Sequence, residues 1–113
     1  MPKRLKLAST APVAVQALAR LLGSRLRIAR QRRRFTLREL AARAGIAYDT
    51  ARAVEAGNVQ TGLGAYLAIA WALGLDDKFT PLLAPEDDAE GVALALAHAP
   101  KRVRHATGSD DEF

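Results

Sequence analysis

Two short helical segments joined by a turn of three or four residues at Gly45 constrain this chain more than any other feature. In TLRELAARAGIAYDTARAVEAGN, residues 36–58, Thr36 stands three residues before Glu39, the spacing of a capping box. There the hydroxyl takes a first-turn N–H while the carboxylate reaches back to the cap. Leu37, Leu40, Ala41 and Ala44 recur at helical spacing up to Gly45, where glycine closes a helix cheaply in the left-handed conformation. A second short helix follows almost at once, from Ala47 to Ala56, and stops at Gly57-Asn58.

Small residues at Ala41, Ala44 and Ala51 let these helices cross closely, and Ile46 plugs the turn. Two helices so joined make a helix-turn-helix, whose second helix is presented to a DNA major groove. With Tyr48 set at zero and about 100° per residue, Ala51 and Val54 fall near 300° and 240°, the inward side. Tyr48, Asp49, Arg52 and Ala53 fall between about 0° and 140°, facing out.

The flanking segments are helical as well. Beyond Pro12, Leu18, Leu22, Leu26 and Ala29 mark a long first helix, with Arg20, Arg27, Arg30 and Arg34 on another side. The run Arg32, Arg33, Arg34 is expected to end it, near the negative pole of the helix dipole. Leu63, Tyr66, Ile69, Ala70 and Leu73 mark a fourth helix closed by Gly74, and a short fifth is expected from Asp76 to Leu83. Residues 91–99, GVALALAHA, are helix by alanine content, yet Val92, Leu94 and Leu96 also alternate at strand period. Residues 1–11 read as a flexible basic arm and 101–113 as a flexible tail, leaving a helix-turn-helix domain over 12–84 and a C-terminal element over 85–100.

Composition supports an all-α fold. The chain has 113 residues, the size of one domain, and 24 of them are alanine with only 5% aromatic, so its core must come from close-packed helices. The absence of cysteine excludes disulfide scaffolds, thiol catalysis and zinc fingers. No apolar run approaches the roughly 18 residues of a membrane helix, and Gln16 and Arg20 interrupt the N-terminal stretch before any cleavage site. The cytoplasm, at the nucleoid, is the expected compartment.

Charge is distributed unevenly. Residues 1–52 hold 13 Lys/Arg against 2 Asp/Glu, a net +11, whereas residues 53–113 hold 4 against 10, a net −6. The basic half calls for a polyanion, with nucleic acid first and an anionic membrane surface second. The apolar stripe of the first helix is needed by the bundle, which argues against the membrane.

Residues 22–74 resemble the Cro/CI-type (Xre) helix-turn-helix regulators, through LGSRLRIARQRRR, TLRELAARAGIA, VEAGN and LAIAWALG in that order. The resemblance implies a five-helix, lambda-repressor-like domain with a short C-terminal extension, and a structural ion pair between Arg30 and Glu55. YLAIAWALGL, the acidic patch after it and the PKRVR ending also look like the HipB-like antitoxins. That likeness implies a dimer that binds its own operator and holds a HipA-like kinase toxin. The alternatives are a free-standing repressor and a protein-interaction module.

Arg52 is suited to a bidentate contact with guanine, Asp49 to cytosine N4, and Tyr48 to a phosphate or a thymine methyl, with Ala53 beside them. Asp49 and Arg52 are three apart and can equally pair with each other. Where the family commonly has a phosphate-binding glutamine this chain has Leu37, so anchoring is expected from Arg33, Arg34, Thr36 and Arg38. Ala47, Thr50, Asn58 and Gln60 complete the expected phosphate set; Ala47 replaces a common serine and loses a cap hydrogen bond, at about 1 kcal/mol.

Trp71, Phe79, Leu83, Val92 and Leu96 are the expected dimer or partner surface, being more apolar than so small a core needs. His98 and His105 have no carboxylate or cysteine at ligand spacing, so no metal is expected. No phosphate loop or nucleophile with a base is present, and neither enzyme activity nor a cofactor is expected.

Overall fold

The computed structural model describes residues 11–100, which contain five α-helices, two 3-10 turns and no strand. The helices are α1 (Val13–Arg32), α2 (Leu37–Ala44), α3 (Tyr48–Glu55), α4 (Leu63–Ala72) and α5 (Ala89–His98). The all-α class holds. The proposed arm and tail lie outside the described residues except for Ala11. The chain divides into two compact units at Thr80 and Pro81.

In the first unit, α3 packs against α1, α2 and α4, and α2 also packs against α4. Its core comprises Leu26 and Ala29 of α1, Leu40 and Ala41 of α2, Ala51 and Val54 of α3, then Tyr66, Ile69, Ala70 and Leu73. The inward side assigned to α3 is thus the buried one. The N-terminal half of α1 reaches beyond this core: Leu22 is half-buried, but Leu18 of the same stripe is 66% exposed.

Two glycines are required by backbone geometry. Gly45 closes α2 at φ 72°, with the Ile46 N–H donating to the Ala41 carbonyl at 3.0 Å. Gly57 has φ 72° and follows α3, with the Asn58 N–H donating to the Ala53 carbonyl at 3.0 Å. Gly23 serves differently, inside α1, where a β-carbon would stand 2.5 Å from the Val54 carbonyl oxygen. It allows the backbones of α1 and the end of α3 to touch.

Two boundaries differ from the sequence expectation. The first helix ends at Arg32, with Arg33 as its cap and Arg34 at φ 60°, so the last arginines turn out of the helix. The expected helix from Asp76 to Leu83 is only a 3-10 turn, Asp76–Phe79. Pro81 has no N–H to continue a helix, and Leu83 adopts φ 58°.

In the second unit, a 3-10 turn (Pro85–Asp87) packs with α5, whose first turn is capped by the Asp88 carboxylate accepting from the Gly91 N–H at 3.0 Å. Residues 91–98 therefore belong to a helix, not a strand, and Ala99 is its extended cap. No residue of α5 is buried.

Candidate nucleic-acid interface

The start of α2 is a complete capping box. The Glu39 N–H donates to the Thr36 hydroxyl at 3.1 Å, and the Thr36 N–H donates to the Glu39 carboxylate at 2.7 Å. The backbone bond to Thr36 is the chief reason that the Glu39 pKa is lowered from its ordinary value. Leu37 turns its side chain against the core, consistent with an apolar residue at that position.

The α3 helix is locked from behind. Arg30 Nε donates to Glu55 Oε2 at 2.7 Å and its Nη2 to Oε1 at 3.0 Å, while Nη1 donates to the Phe35 carbonyl at 2.9 Å. With side chains only 14% and 7% exposed, this two-pronged pair joins α1 to the end of α3 and to the chain entering α2. The bond to Glu55 is also the main cause of a raised Arg30 pKa.

On the open side, Asp49 and Arg52 are exposed and lie 3.8 Å apart, so the structure forms the contact between them that their spacing permits. Tyr48 is half-buried, with the Arg38 guanidinium 4.4 Å from its ring centre, and Ala53 and Thr50 are half-buried. Ala47 is extended at the start of α3 and provides no side-chain cap. Arg33 folds back, its Nη1 donating to the Ala29 carbonyl at 2.9 Å, and Arg34 is exposed. After α3, the Asn58 side-chain oxygen accepts from the Gln60 N–H at 2.7 Å. The Asn58 carbonyl accepts from the Tyr66 hydroxyl at 2.8 Å, and burial raises the pKa of that phenol.

The residues expected to meet a dimer or partner are not all equivalent. Trp71 is 61% exposed on α4, whereas Phe79 packs against the core of the same unit. Leu83, Val92 and Leu96 belong to the second unit and are exposed there. His98 Nδ1 lies 3.0 Å from the Leu94 carbonyl oxygen. Among the described residues no group of His, Cys, Asp or Glu is placed to hold a metal, and no helix is long and apolar enough to cross a membrane. Sequence reasoning passes over Gly23 and places Arg27 only among the first-helix arginines, two or three of which are expected to touch phosphate; the tertiary position of α1 against α3 singles both out.

This arrangement defines a helix-turn-helix protein: a capped helix, a left-handed glycine turn, and a second helix buried on one side and polar on the other. The family model of the helix-turn-helix domain matches residues 21–83, and the chain belongs to that family of DNA-binding regulators. Comparison with curated proteins and with solved structures returns no match.

Proposed function

We propose that this protein is a sequence-specific DNA-binding repressor of its own operon, acting in the cytoplasm as a homodimer on an inverted repeat. The α3 helices of two subunits would enter successive major grooves about 34 Å apart. The observation that carries this reading is the division of α3, with Ala51 and Val54 fully buried and Asp49 and Arg52 in solvent. Arg52, Asp49 and Tyr48, with Ala53, read bases; Arg33, Arg34, Thr36, Arg38, Ala47, Thr50, Asn58 and Gln60 meet phosphates.

Mobility shift on the upstream region and on an unrelated fragment of equal length, across a salt series, tests this. Retention of the upstream fragment alone at about 150 mM salt is expected. If two subunits neutralise about 6 to 10 phosphates, affinity falls about 10³- to 10⁵-fold between roughly 50 and 200 mM. Equal, salt-labile binding to both fragments would overturn sequence specificity.

A protein partner is favoured by the second unit. Leu83 is 97% exposed, and Val92, Leu94 and Leu96 lie in solvent on a helix with no buried residue, in the same unit as Glu86, Asp87, Asp88 and Glu90. A short helix of this kind gains stability chiefly by packing against something else. With the HipB-like ending, this supports an antitoxin that holds a HipA-like kinase. Co-elution with the product of the neighbouring reading frame supports it; separate elution leaves a free-standing repressor.

A further inference from the structure

A cleft of about 290 Å³ opens where α1, the first residue of α2 and the end of α3 meet, lined by Arg27, Arg30, Leu37, Arg52, Glu55 and Ala56. Three of these are arginines, against one carboxylate. Glu55 is already engaged by both prongs of Arg30, so that pair adds little net charge. Arg52 has only its 3.8 Å contact with Asp49, between side chains 68% and 85% exposed, a geometry worth little in water. Among the described residues Arg27 has no ion-pair or hydrogen-bond partner. The cleft is therefore electropositive, and its one long cation without a counterion is Arg27.

Its surroundings match that charge. Leu37 is the first residue of α2, whose opening N–H groups have no carbonyl partner within the helix and form its positive pole. Three of the groups assigned to the DNA backbone near this point are each steadied by one contact within the protein that leaves other donors open. Arg33 is bonded to the Ala29 carbonyl, Arg38 stacks on Tyr48, and the Thr36 hydroxyl accepts from Glu39.

We propose that this cleft seats one phosphate of the DNA backbone, with Arg27 as the clamp and the Arg30–Glu55 pair and Arg52 as its walls. The site rests on the DNA-binding reading above and extends it to a residue of α1, outside the helix-turn-helix itself. Arg27 thereby supplies the anchoring that Leu37 cannot.

The test is fluorescence anisotropy with a labelled mixed-sequence duplex of about two helical turns and with the upstream region, over a salt series. Arg27→Gln should weaken both about fivefold to tenfold at roughly 100 mM salt and flatten the log–log salt slope by about one per bound subunit. Arg27→Lys, which keeps the charge, should restore most of the slope. Lys78→Gln removes a charge from the Asp76–Phe79 turn, no residue of which lines the cleft, and should leave the slope unchanged. If the wild type binds and Arg27→Gln has the same slope, or if Lys78→Gln flattens it equally, the phosphate seat is overturned while DNA binding stands. If the wild type binds neither duplex at low salt, the DNA-binding reading itself falls, and the seat with it. Titration with inorganic phosphate, followed at the Arg27 Nε–H by NMR, separates a free-anion site: saturation there with an unchanged duplex slope also overturns the proposal.

Discussion

Gly23 and Gly57 bring α1 and the end of α3 into direct backbone contact: a β-carbon on Gly23 would stand 2.8 Å from the Gly57 nitrogen, and one on Gly57 would stand 2.5 Å from the Arg20 α-carbon. The obstructing atoms are all main chain, so no rotamer change relieves the overlap. Gly23→Ala would ordinarily favour a helix interior by up to about 1 kcal/mol. Here it should destabilise by about 2 kcal/mol or more, read as a lower urea midpoint. An unchanged or higher midpoint would show that the helices separate freely.

The Arg30–Glu55 pair is shielded enough that losing one partner strands the other. Glu55→Ala should cost about 3 kcal/mol, with most of that loss shared by Arg30→Met in a double-mutant cycle. Additive effects of the two substitutions would mean that the groups act independently.

The capping box makes a pH prediction. Because the folded pKa of Glu39 is lowered, its contribution to stability is present above the ordinary carboxylate value of 4.5 and is lost as pH falls through the folded value. Thr36→Ala loses the hydroxyl but keeps the Thr36 N–H, the chief cause of the shift, and should raise the Glu39 pKa only part of the way toward 4.5 in an NMR titration. The stability gap between Glu39→Gln, which cannot ionise, and the wild type should be full at neutral pH and shrink in acid; a gap constant down to the acid limit would rule out the carboxylate charge as its source.

Arg52→Ala leaves the buried side of α3 untouched and should therefore barely alter the melting temperature. On the preferred DNA site it should cost about 1–3 kcal/mol and relax selection at one base pair in a binding-site selection experiment. Uniform weakening across all sequences would instead make Arg52 a phosphate contact.

The parts of the fold that sequence disclosed are those encoded by local chemistry. Thr36 and Glu39 announce a helix start, Gly45 and Gly57 announce stops, and the 100° periodicity separates Ala51 and Val54 from the open side of α3. Sequence falls short where the deciding partner is distant, and leaves the choice open where the local signal is mixed. Acidic residues at Asp76 and Asp77 invite a helix that Pro81 curtails, and Val92, Leu94 and Leu96 alternate at strand period in a segment that alanine makes helical. Gly23 looks like a flaw in α1 until the end of α3 is laid against it. Arg27 looks like one of many solvated arginines until the cleft groups it with Arg30, Arg52 and Glu55.

The loop after α3 is tied to α4 by a phenol, the Tyr66 hydroxyl donating to the Asn58 carbonyl at 2.8 Å. One turn or so further along that helix stands Trp71, 61% exposed and the only tryptophan in the chain. Trp71 is thus an intrinsic fluorophore on the helix that Tyr66 ties to that loop, available with no added dye.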